Sequence, residues 1–391
     1  MNIILRAAWQ TVNIGDIAHS PAIIKILKNH LPPCNITLWA SYMTQEVSDM
    51  LLSQFPDLKI IVGKISDGDS AFLEEIDRCD FFLHGSAAHF SAYNDTKEFV
   101  ARTKKPFGIF GITCDTGYKF DKNIQTEKEL LNQAQFIFYR DSKSLECAKA
   151  NGVCAPVMRF GCDGTFAYDL ANESRGLATM QKYGLKEGKF VCCIPRNRYI
   201  PYWEVKANHP YNEMQDRYNR TMEDKDHFPL IEAITQIATH TDLKVFLCPE
   251  DETQIKLGKR VIYDKLPSNI RERVVLKQEF WLPDEAVAIY KKSIGIFGCE
   301  MHSPIMCIGN GIPAIVARWR EQTTKGYMFS DLGLGDWLFD FDSEEDKQRF
   351  PLAVLKMVQS PNESRKKTTQ GRQNAFATYE DICGEIRKQF V

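Results

Sequence analysis

The chain has 391 residues, of which 44% are hydrophobic and 26% charged, and its formal net charge at pH 7 is −2. This length is sufficient for two domains, and the composition is typical of a soluble globular protein. The balanced charge gives no indication of binding to nucleic acid or to an anionic membrane. We therefore expect no nucleic-acid partner. No apolar run approaches the roughly 20 residues needed to span a bilayer, so we also expect no transmembrane segment.

The N-terminus and the cysteines indicate the cellular setting. The first residues, MNIILRAAWQ, lack the basic-then-apolar layout of a secretion signal and predict a first strand. Twelve cysteines are present, but no two are arranged as C-x-x-C. In a chain of this length without a signal, that pattern is typical of buried free thiols, and it predicts a reducing, cytoplasmic environment.

The first half alternates short apolar runs with amphipathic stretches. Runs rich in β-branched and aromatic residues predict strands, and their alternation with helices of about ten residues predicts a parallel sheet covered on both faces. The predicted strands in this half are NIILRAA, NITLWAS, LKIIVG, DFFLHGS, PFGIFGI, QFIFYRD and APVMRFG.

A second round of the same alternation begins near residue 186. Its predicted strands are KFVCCIPR, LKVFLCPE, RVVLKQ, IGIFGC and IPAIVARW. We predict an α/β protein with two Rossmann-like domains facing across a cleft, as in the GT-B arrangement. The predicted units are an acceptor-side domain (1–178), a donor-side domain (179–355) and a helical segment (356–391) that packs back on the first domain.

The stretch 199–227 interrupts the second round and is rich in aromatic, charged and amide residues. A long loop of this kind is often a lid or a binding element, so we predict that role here. Its tyrosines and tryptophan suit a platform for a sugar.

Polar residues at predicted strand ends form the first set of candidates, because ligands of open α/β sheets bind outside the carboxyl ends of the strands. In the first half these are Asn13, Gly15, Asp16, His84, Ser86, Thr113, Asp115, Arg140 and Asp141. In the second half they are Arg196, Asn197, Glu250, Asp251, Glu300 and His302.

The segment NIGDIAHSPAII follows the first strand and enters a helix. Gly15 permits a tight turn, and the helix N-terminus beyond it offers N–H groups and partial positive charge to an anion. Alternatively, Asp16 or Ser20 merely caps the helix, and the sequence leaves both interpretations open. The further glycines of a dinucleotide-binding motif are missing, so no cofactor is expected.

Two other candidates of the first half have structural alternatives. His84 and His89 are five residues apart, but no third ligand of suitable spacing follows, so no metal site is expected. Arg140 either contacts a substrate or forms a salt bridge with Asp141 or Asp163 that fixes the turn.

The second half places cationic candidates after buried strands. Arg196 follows the run VCCI and offers a planar fork of donors suited to phosphate or carboxylate, although a solvated loop arginine would leave the same pattern. His302 precedes Ser303 and a proline at the start of a helix, where an anion would dock and raise the histidine pKa. The alternative is a neutral histidine bonded to backbone. Lys325 would add charge to the same cleft.

Several segments together resemble the polysaccharide pyruvyl transferase family. They occur in the family's order over almost the whole chain, and they are NIGD, FYRDSKSLECAKANGV, GCDGTFAYDL, the strand ending at Arg196, MHSPIMCIGNGIPAIV and TKGYMFSDLGLGDW. The resemblance implies a GT-B-like fold and an enzyme of surface-polysaccharide biosynthesis. It further implies transfer of the pyruvyl group of phosphoenolpyruvate to a sugar, or to a nucleotide- or lipid-linked saccharide, as a ketal.

The resemblance also implies roles for the candidates. His302 or Glu300 would be the acid, Asp16 or Asp115 the base, and Arg196 with Lys325 the phosphate clamp. The other substrate-binding candidates are Asn13, Gly15, His84, Ser86, Arg140, Asn197 and Ser303. Glu300 stands where the family has an arginine, so a negative charge replaces a positive one. A nucleotide-sugar-dependent glycosyltransferase and a catalytically diverged glycan- or partner-binding member are the alternatives.

Overall fold

The computed structural model describes residues 1–114 and 121–390. The strands of the first half are β1 (Asn2–Arg6), β2 (Asn35–Ala40), β3 (Lys59–Val62), β4 (Phe81–Ala87), β5 (Phe107–Ile112), β6 (Ile137–Tyr139) and β7 (Met158–Phe160). Those of the second half are β8 (Phe190–Ile194), β9 (Lys244–Leu247), β10 (Val274–Leu276), β11 (Ile296–Gly298), β12 (Ala314–Arg318) and β13 (Leu338–Asp340).

Helices connect and cover these strands. The helices before β8 are α1 (Ile14–His30), α2 (Gln45–Gln54), α3 (Ser70–Arg78), α4 (Tyr93–Thr103), α5 (Asp121–Leu131), α6 (Ser142–Ala150) and α7 (Glu173–Tyr183). The later helices are α8 (Glu213–His240), α9 (Gln254–Val261), α10 (Ser268–Arg271), α11 (Pro283–Tyr290), α12 (His302–Gly309), α13 (Met328–Asp331), α14 (Glu344–Gln359) and α15 (Pro361–Arg387). In the part of the chain that the structure describes, none of them combines the length and apolarity needed to cross a membrane.

The strands form two separate parallel sheets. Their orders are β3-β2-β1-β4-β5-β6-β7 and β10-β9-β8-β11-β12-β13. Every residue of β4 and of β8 is buried, because helices cover both faces, which explains the continuous apolar runs in the sequence. The prediction of two Rossmann-like domains is confirmed.

The junction between the two halves lies close to α7. This helix spans the boundary predicted at residue 178, and it packs against α11 of the second half, where Gly176 lies against Ala288. A Cβ at Gly176 would lie 2.6 Å from the Cβ of Ala288. We therefore propose that the second domain begins just before α7.

The prediction of a loop over 199–227 was wrong for its second part. Asn212 caps α8 by accepting a hydrogen bond from the N–H of Gln215, and the helix then runs to His240. The remaining residues, 199–212, reach the first domain, and we call them the cross-domain loop. In this loop the hydroxyl of Tyr202 accepts a hydrogen bond from Gln10 Nε2 at 2.9 Å.

The C-terminal helix α15 packs back on the first domain, as predicted. The hydroxyl of Tyr379 donates to the carbonyl of Asp163 at 2.7 Å, and Arg387 Nη1 donates to the carbonyl of His30 at 2.9 Å. The helix also contacts α12 and α14 of the second half. It therefore contacts both domains.

We expect Gly309→Ala to destabilise the protein by about 3 kcal/mol, at the upper end of the usual cost of overpacking. Helix α12 crosses the turn at Phe166, and a Cβ on Gly309 would lie 1.7 Å from the carbonyl oxygen of Phe166, a backbone atom that cannot rotate away. Urea unfolding measures the effect. Gly384→Ala is the control, because its nearest neighbour is the end of Arg387 at 3.8 Å. Equal stability of the two variants would contradict this packing.

Candidate active site between the domains

Loops at the carboxyl ends of β1 and β9 join the two domains through their backbones. The N–H of Ile14 donates to the carbonyl of Glu250 at 2.9 Å, and the N–H of Glu252 donates to the carbonyl of Val12 at 3.0 Å. Asn13 and Asp251 form an isolated antiparallel bridge between them. The strand ends of both domains therefore meet at one site.

His302 lies directly against the first turn of α1. A Cβ added to Gly15 would lie 2.2 Å from Nδ1 of His302, so only glycine leaves room for the ring. The ring of His19 meets that of His302 edge-on, with the centroids 4.9 Å apart. His302 from the second domain is thereby held against two residues of the first.

A carboxylate of the protein occupies the anion position at the start of α12. Glu250 is fully buried; its Oε1 lies 3.1 Å from His302 Nδ1, and its Oε2 accepts a hydrogen bond from the N–H of Ser303 at 2.6 Å. Burial alone would raise the pKa of Glu250, but the interactions with His302 and Ser303 outweigh it and lower the pKa to about 2. The helix N-terminus and His302 thus face an internal anion.

The N-terminus of α1 is capped from within the protein. Asn13 Oδ1 accepts hydrogen bonds from the N–H groups of Gly15 at 2.8 Å and Asp16 at 3.3 Å. The capping residue is therefore Asn13 and neither Asp16 nor Ser20, which corrects that interpretation of the sequence.

Arg140 belongs to a buried ion-pair network. Its Nη1 lies 2.6 Å from Asp163 Oδ2, and its Nη2 donates to Thr113 Oγ1 at 2.7 Å. His19 Nδ1 lies 3.3 Å from Asp163 Oδ1. Burial would raise the pKa of Asp163, but the charges of His19 and Arg140 hold it well below its usual range. Of the two interpretations of Arg140, the structure shows the salt bridge, with Asp163 as the partner.

Arg196 and Asn197 follow β8 and retain unused hydrogen-bonding atoms. Arg196 Nε lies 3.2 Å from Glu300 Oε1, without the alignment of a hydrogen bond, and Glu300 Oε1 also accepts from Gln254 Nε2 at 2.6 Å. Arg196 Nη1 and Asn197 Oδ1 are buried and have no hydrogen-bond partner among the described residues. Such atoms are costly to leave unpaired, so they would be satisfied by water or by a ligand.

Asp251 is fully buried at the same junction. Its Oδ1 accepts a hydrogen bond from the N–H of Thr253 at 2.9 Å, while its Oδ2 has no partner within residues 1–114 and 121–390. Burial raises the pKa of this carboxyl group to about 6. The sequence placed Asp251 at a strand end but gave no reason to select it, because its burial depends on how the domains meet.

His84 and Ser86 lie within β4 and are fully buried. His84 Nδ1 lies 2.7 Å from the carbonyl of Gly85, and burial lowers its pKa to about 3, so the ring is neutral. Ser86 Oγ accepts a hydrogen bond from the N–H of Gly164 at 2.8 Å. Both side chains connect parts of the first domain.

The remaining candidates predicted from the sequence are Ser303, Asp115 and Lys325. Ser303 Oγ accepts a hydrogen bond from the hydroxyl of Tyr290 at 3.1 Å and is fully buried. Asp115 lies outside the described residues. The backbone of Lys325 begins a short 3₁₀ turn, and its side chain lies outside the described part of the structure.

The structure adds His19, which the sequence analysis missed. One ring nitrogen each from His19 and His302 and a carboxylate oxygen of Asp16 all lie within 4.8 Å of one another. Asp16 and His19 are three residues apart on one helix, a spacing that places them on the same face and that the sequence does contain. The third member, His302, belongs to the other domain.

Comparisons with known proteins agree with this architecture. The UDP-GlcNAc 2-epimerase from Neisseria meningitidis bound to UDP-GlcNAc is 11% identical, with a TM-score of 0.60 over 99% of this chain and 100% of that chain. HepE from Anabaena, in complex with UDP and glucose, is 12% identical, with a TM-score of 0.59 over 100% and 99%. These likenesses show a GT-B-like fold.

No curated protein matches the chain. The family model of polysaccharide pyruvyl transferase matches residues 13–320, which include Asn13, Arg196, Asp251 and His302. The chain is therefore an enzyme, a transferase that belongs to the polysaccharide pyruvyl transferase family.

Proposed function

We propose that the protein transfers the pyruvyl group of phosphoenolpyruvate to two hydroxyl groups of a sugar, forming a ketal and releasing phosphate. The observation that carries this proposal is Arg196, which is buried at the domain junction with Nη1 lacking a partner among the described residues. A guanidinium with unused donors suits a carboxylate or phosphate, and Asn197 beside it adds polar atoms.

The acid and base in our proposal is Asp251. Its carboxyl group gives a proton to C3 of the donor, which leaves C2 as an oxocarbenium-like carbon for the first sugar hydroxyl to attack. Asp251, now ionised, accepts the proton of that hydroxyl. Phosphate then leaves C2, the second hydroxyl closes the ketal, and the released proton goes to the phosphate.

Asp251 suits this role better than Glu300, which the resemblance had implied. Glu300 contacts Arg196 and accepts a hydrogen bond from Gln254, so its Oε1 atom is already engaged by the protein. The Asp251 Oδ2 atom has no such partner in the described structure. The catalytic roles of Asp16 and His302 stay predictions.

A thermal-shift titration tests donor binding. We expect phosphoenolpyruvate to raise the Tm, because a ligand at 100 times its Kd stabilises a protein by about 2.7 kcal/mol. Arg196→Met should lose this shift, whereas Arg217→Met, which changes an exposed arginine on α8, should keep it. No shift for the wild type, or an equal shift for Arg196→Met, would contradict the proposal.

A nucleotide-sugar-dependent glycosyltransferase is the second candidate. The contact between Glu300 and Arg196 favours it, because the carboxylate offsets the arginine charge that a small, highly charged donor would need. The fold relatives were solved with UDP-GlcNAc or UDP. The thermal-shift titration is therefore repeated with UDP, GDP, CMP and inorganic phosphate. Stabilisation by a nucleotide alone would favour the glycosyltransferase.

We also propose a cytoplasmic location and a nucleotide- or lipid-linked acceptor. All twelve cysteines are free thiols and most are buried, which is consistent with a reducing compartment.

Tyr199 and Tyr218 line a surface cavity of about 650 Å³ together with Met214, and apolar ring faces of this kind suit the C–H faces of a sugar.

A further inference from the structure

We propose that Asp16, His19 and His302 form a binding site for a divalent transition-metal ion of the zinc class. The three side chains bring two imidazole nitrogens and one carboxylate oxygen within 4.8 Å of one another. Two histidines and one carboxylate are a ligand set found in zinc and non-haem iron sites, with further positions open. Magnesium and calcium prefer oxygen ligands, so this set does not suit them.

A carboxylate lies beside one ring nitrogen of each histidine and orients the ring for metal binding. Glu250 contacts Nδ1 of His302 at 3.1 Å, and Asp163 contacts Nδ1 of His19 at 3.3 Å. Each ring would therefore bind the ion through Nε2, and Nε2 of His19 lies 3.9 Å from Asp16 Oδ1. A carboxylate behind each liganding histidine is a recurrent outer shell of metal sites.

The charges around this cluster favour a cation. The carboxylates of the junction are Asp16, Asp163, Glu250, Asp251 and Glu300, whereas its described lysine and arginine side chains are Arg140, Arg196 and Lys206. The excess of negative charge would attract a divalent ion. The histidine side chains are almost fully buried, whereas the Asp16 side chain is 22% exposed, so an ion could reach the cluster from the side of Asp16.

Only a small rearrangement is needed to close the site. Zinc binds nitrogen and oxygen at roughly 2.0–2.2 Å, so its ligand atoms lie roughly 3.4 Å apart. With one nitrogen taken from each ring, the ligand atoms lie within 4.8 Å of one another, so the site would contract by little more than about 1 Å on binding. Because His302 belongs to the second domain and the other two residues belong to α1, the ion would join the domains.

An ion at this position would offer its open coordination site to the cleft. A phosphate or carboxylate oxygen of an anionic donor has the chemistry to occupy it. This consequence rests on the proposed function, but the binding of the ion does not.

Equilibrium dialysis of the purified, chelator-treated protein against Zn²⁺, with the bound metal measured by mass spectrometry, tests the site. Co²⁺ serves as a second probe through its visible absorption. All samples carry Cys154→Ser, because Cys154 is an exposed thiol. We expect one ion per chain, at least tenfold weaker binding for Asp16→Ala and His19→Ala, and binding about 10–100-fold weaker for Glu250→Gln.

The control is His240→Ala, an exposed histidine at the end of α8, which should bind as the wild type does. If His19→Ala does not fold, Asp16→Ala decides alone, because that side chain is partly exposed. Absence of a stoichiometric ion, or unchanged binding by Asp16→Ala, would overturn the proposal. Dialysis is performed without phosphoenolpyruvate, so failure of metal binding and failure of donor binding are distinguishable.

Discussion

Replacing Asp251 by asparagine is expected to slow ketal formation by about 10²–10⁴-fold while leaving donor binding intact. The asparagine keeps the Oδ1 atom that accepts the hydrogen bond from Thr253, but it has no carboxyl proton to transfer. Rates of phosphate release and ketal formation, measured beside the thermal shift with phosphoenolpyruvate, separate the two effects. The matched control is Asp69→Asn, which changes another capping aspartate, bonded to the N–H of Phe72 at the start of α3.

The dependence of the same reaction on pH provides a second measurement of Asp251. Its pKa is raised to about 6, chiefly by burial, while Arg196 lowers it and Asp16 raises it. Because the protonated form is the acid, the wild-type rate should fall as the pH rises through about 6, and the residual rate of Asp251→Asn should not show this decline. A variant as active as the wild type would exclude Asp251 as the acid.

Replacing Asp163 by alanine is expected to destabilise the protein by about 3–5 kcal/mol, because it leaves the charge of Arg140 buried without its partner. Arg140 is 1% exposed and Asp163 is fully buried. The loss also removes the contact that orients His19. Urea unfolding measures the change in the free energy of unfolding.

The control for this variant is an ion pair of the same kind at the surface. Lys143 and Glu146 lie 3.0 Å apart on α6, and both are more than half exposed. Glu146→Ala should therefore change the stability by less than about 1 kcal/mol. If Asp163→Ala lost no more stability than Glu146→Ala, the buried network would not stabilise the first domain as described.

The sequence predicted the two sheets because the strands in the middle of each sheet are buried along their whole length. Strand β8 reads FVCCI and is buried throughout, so its apolar run is unambiguous. The first part of α8 was missed because it is polar and mostly exposed. The boundary predicted at residue 178 falls inside α7, because the packing of this helix against α11 leaves no mark in the local sequence pattern.

The candidate site was predicted only in part, because several of its contacts join segments that are distant in the sequence. The strand-end rule identified Arg196 and His302, and the start of α12 was expected to face an anion. That the anion is Glu250, 52 residues earlier in the chain, depends on contacts between loops that no local pattern records. The same holds for His19 and Asp163, whose contact joins two distant segments.

The position of α15 has a consequence for how the protein reaches its fold during synthesis. Strands β1 to β7 leave the ribosome long before α15, yet buried residues of the first domain, such as Cys162, lie against that helix. Domains commonly fold in the order of synthesis, but the face of the first domain that α15 covers stays uncovered until the second domain has been made. The nascent first domain therefore exposes an apolar face until then, and this interval is when chaperones would be needed most.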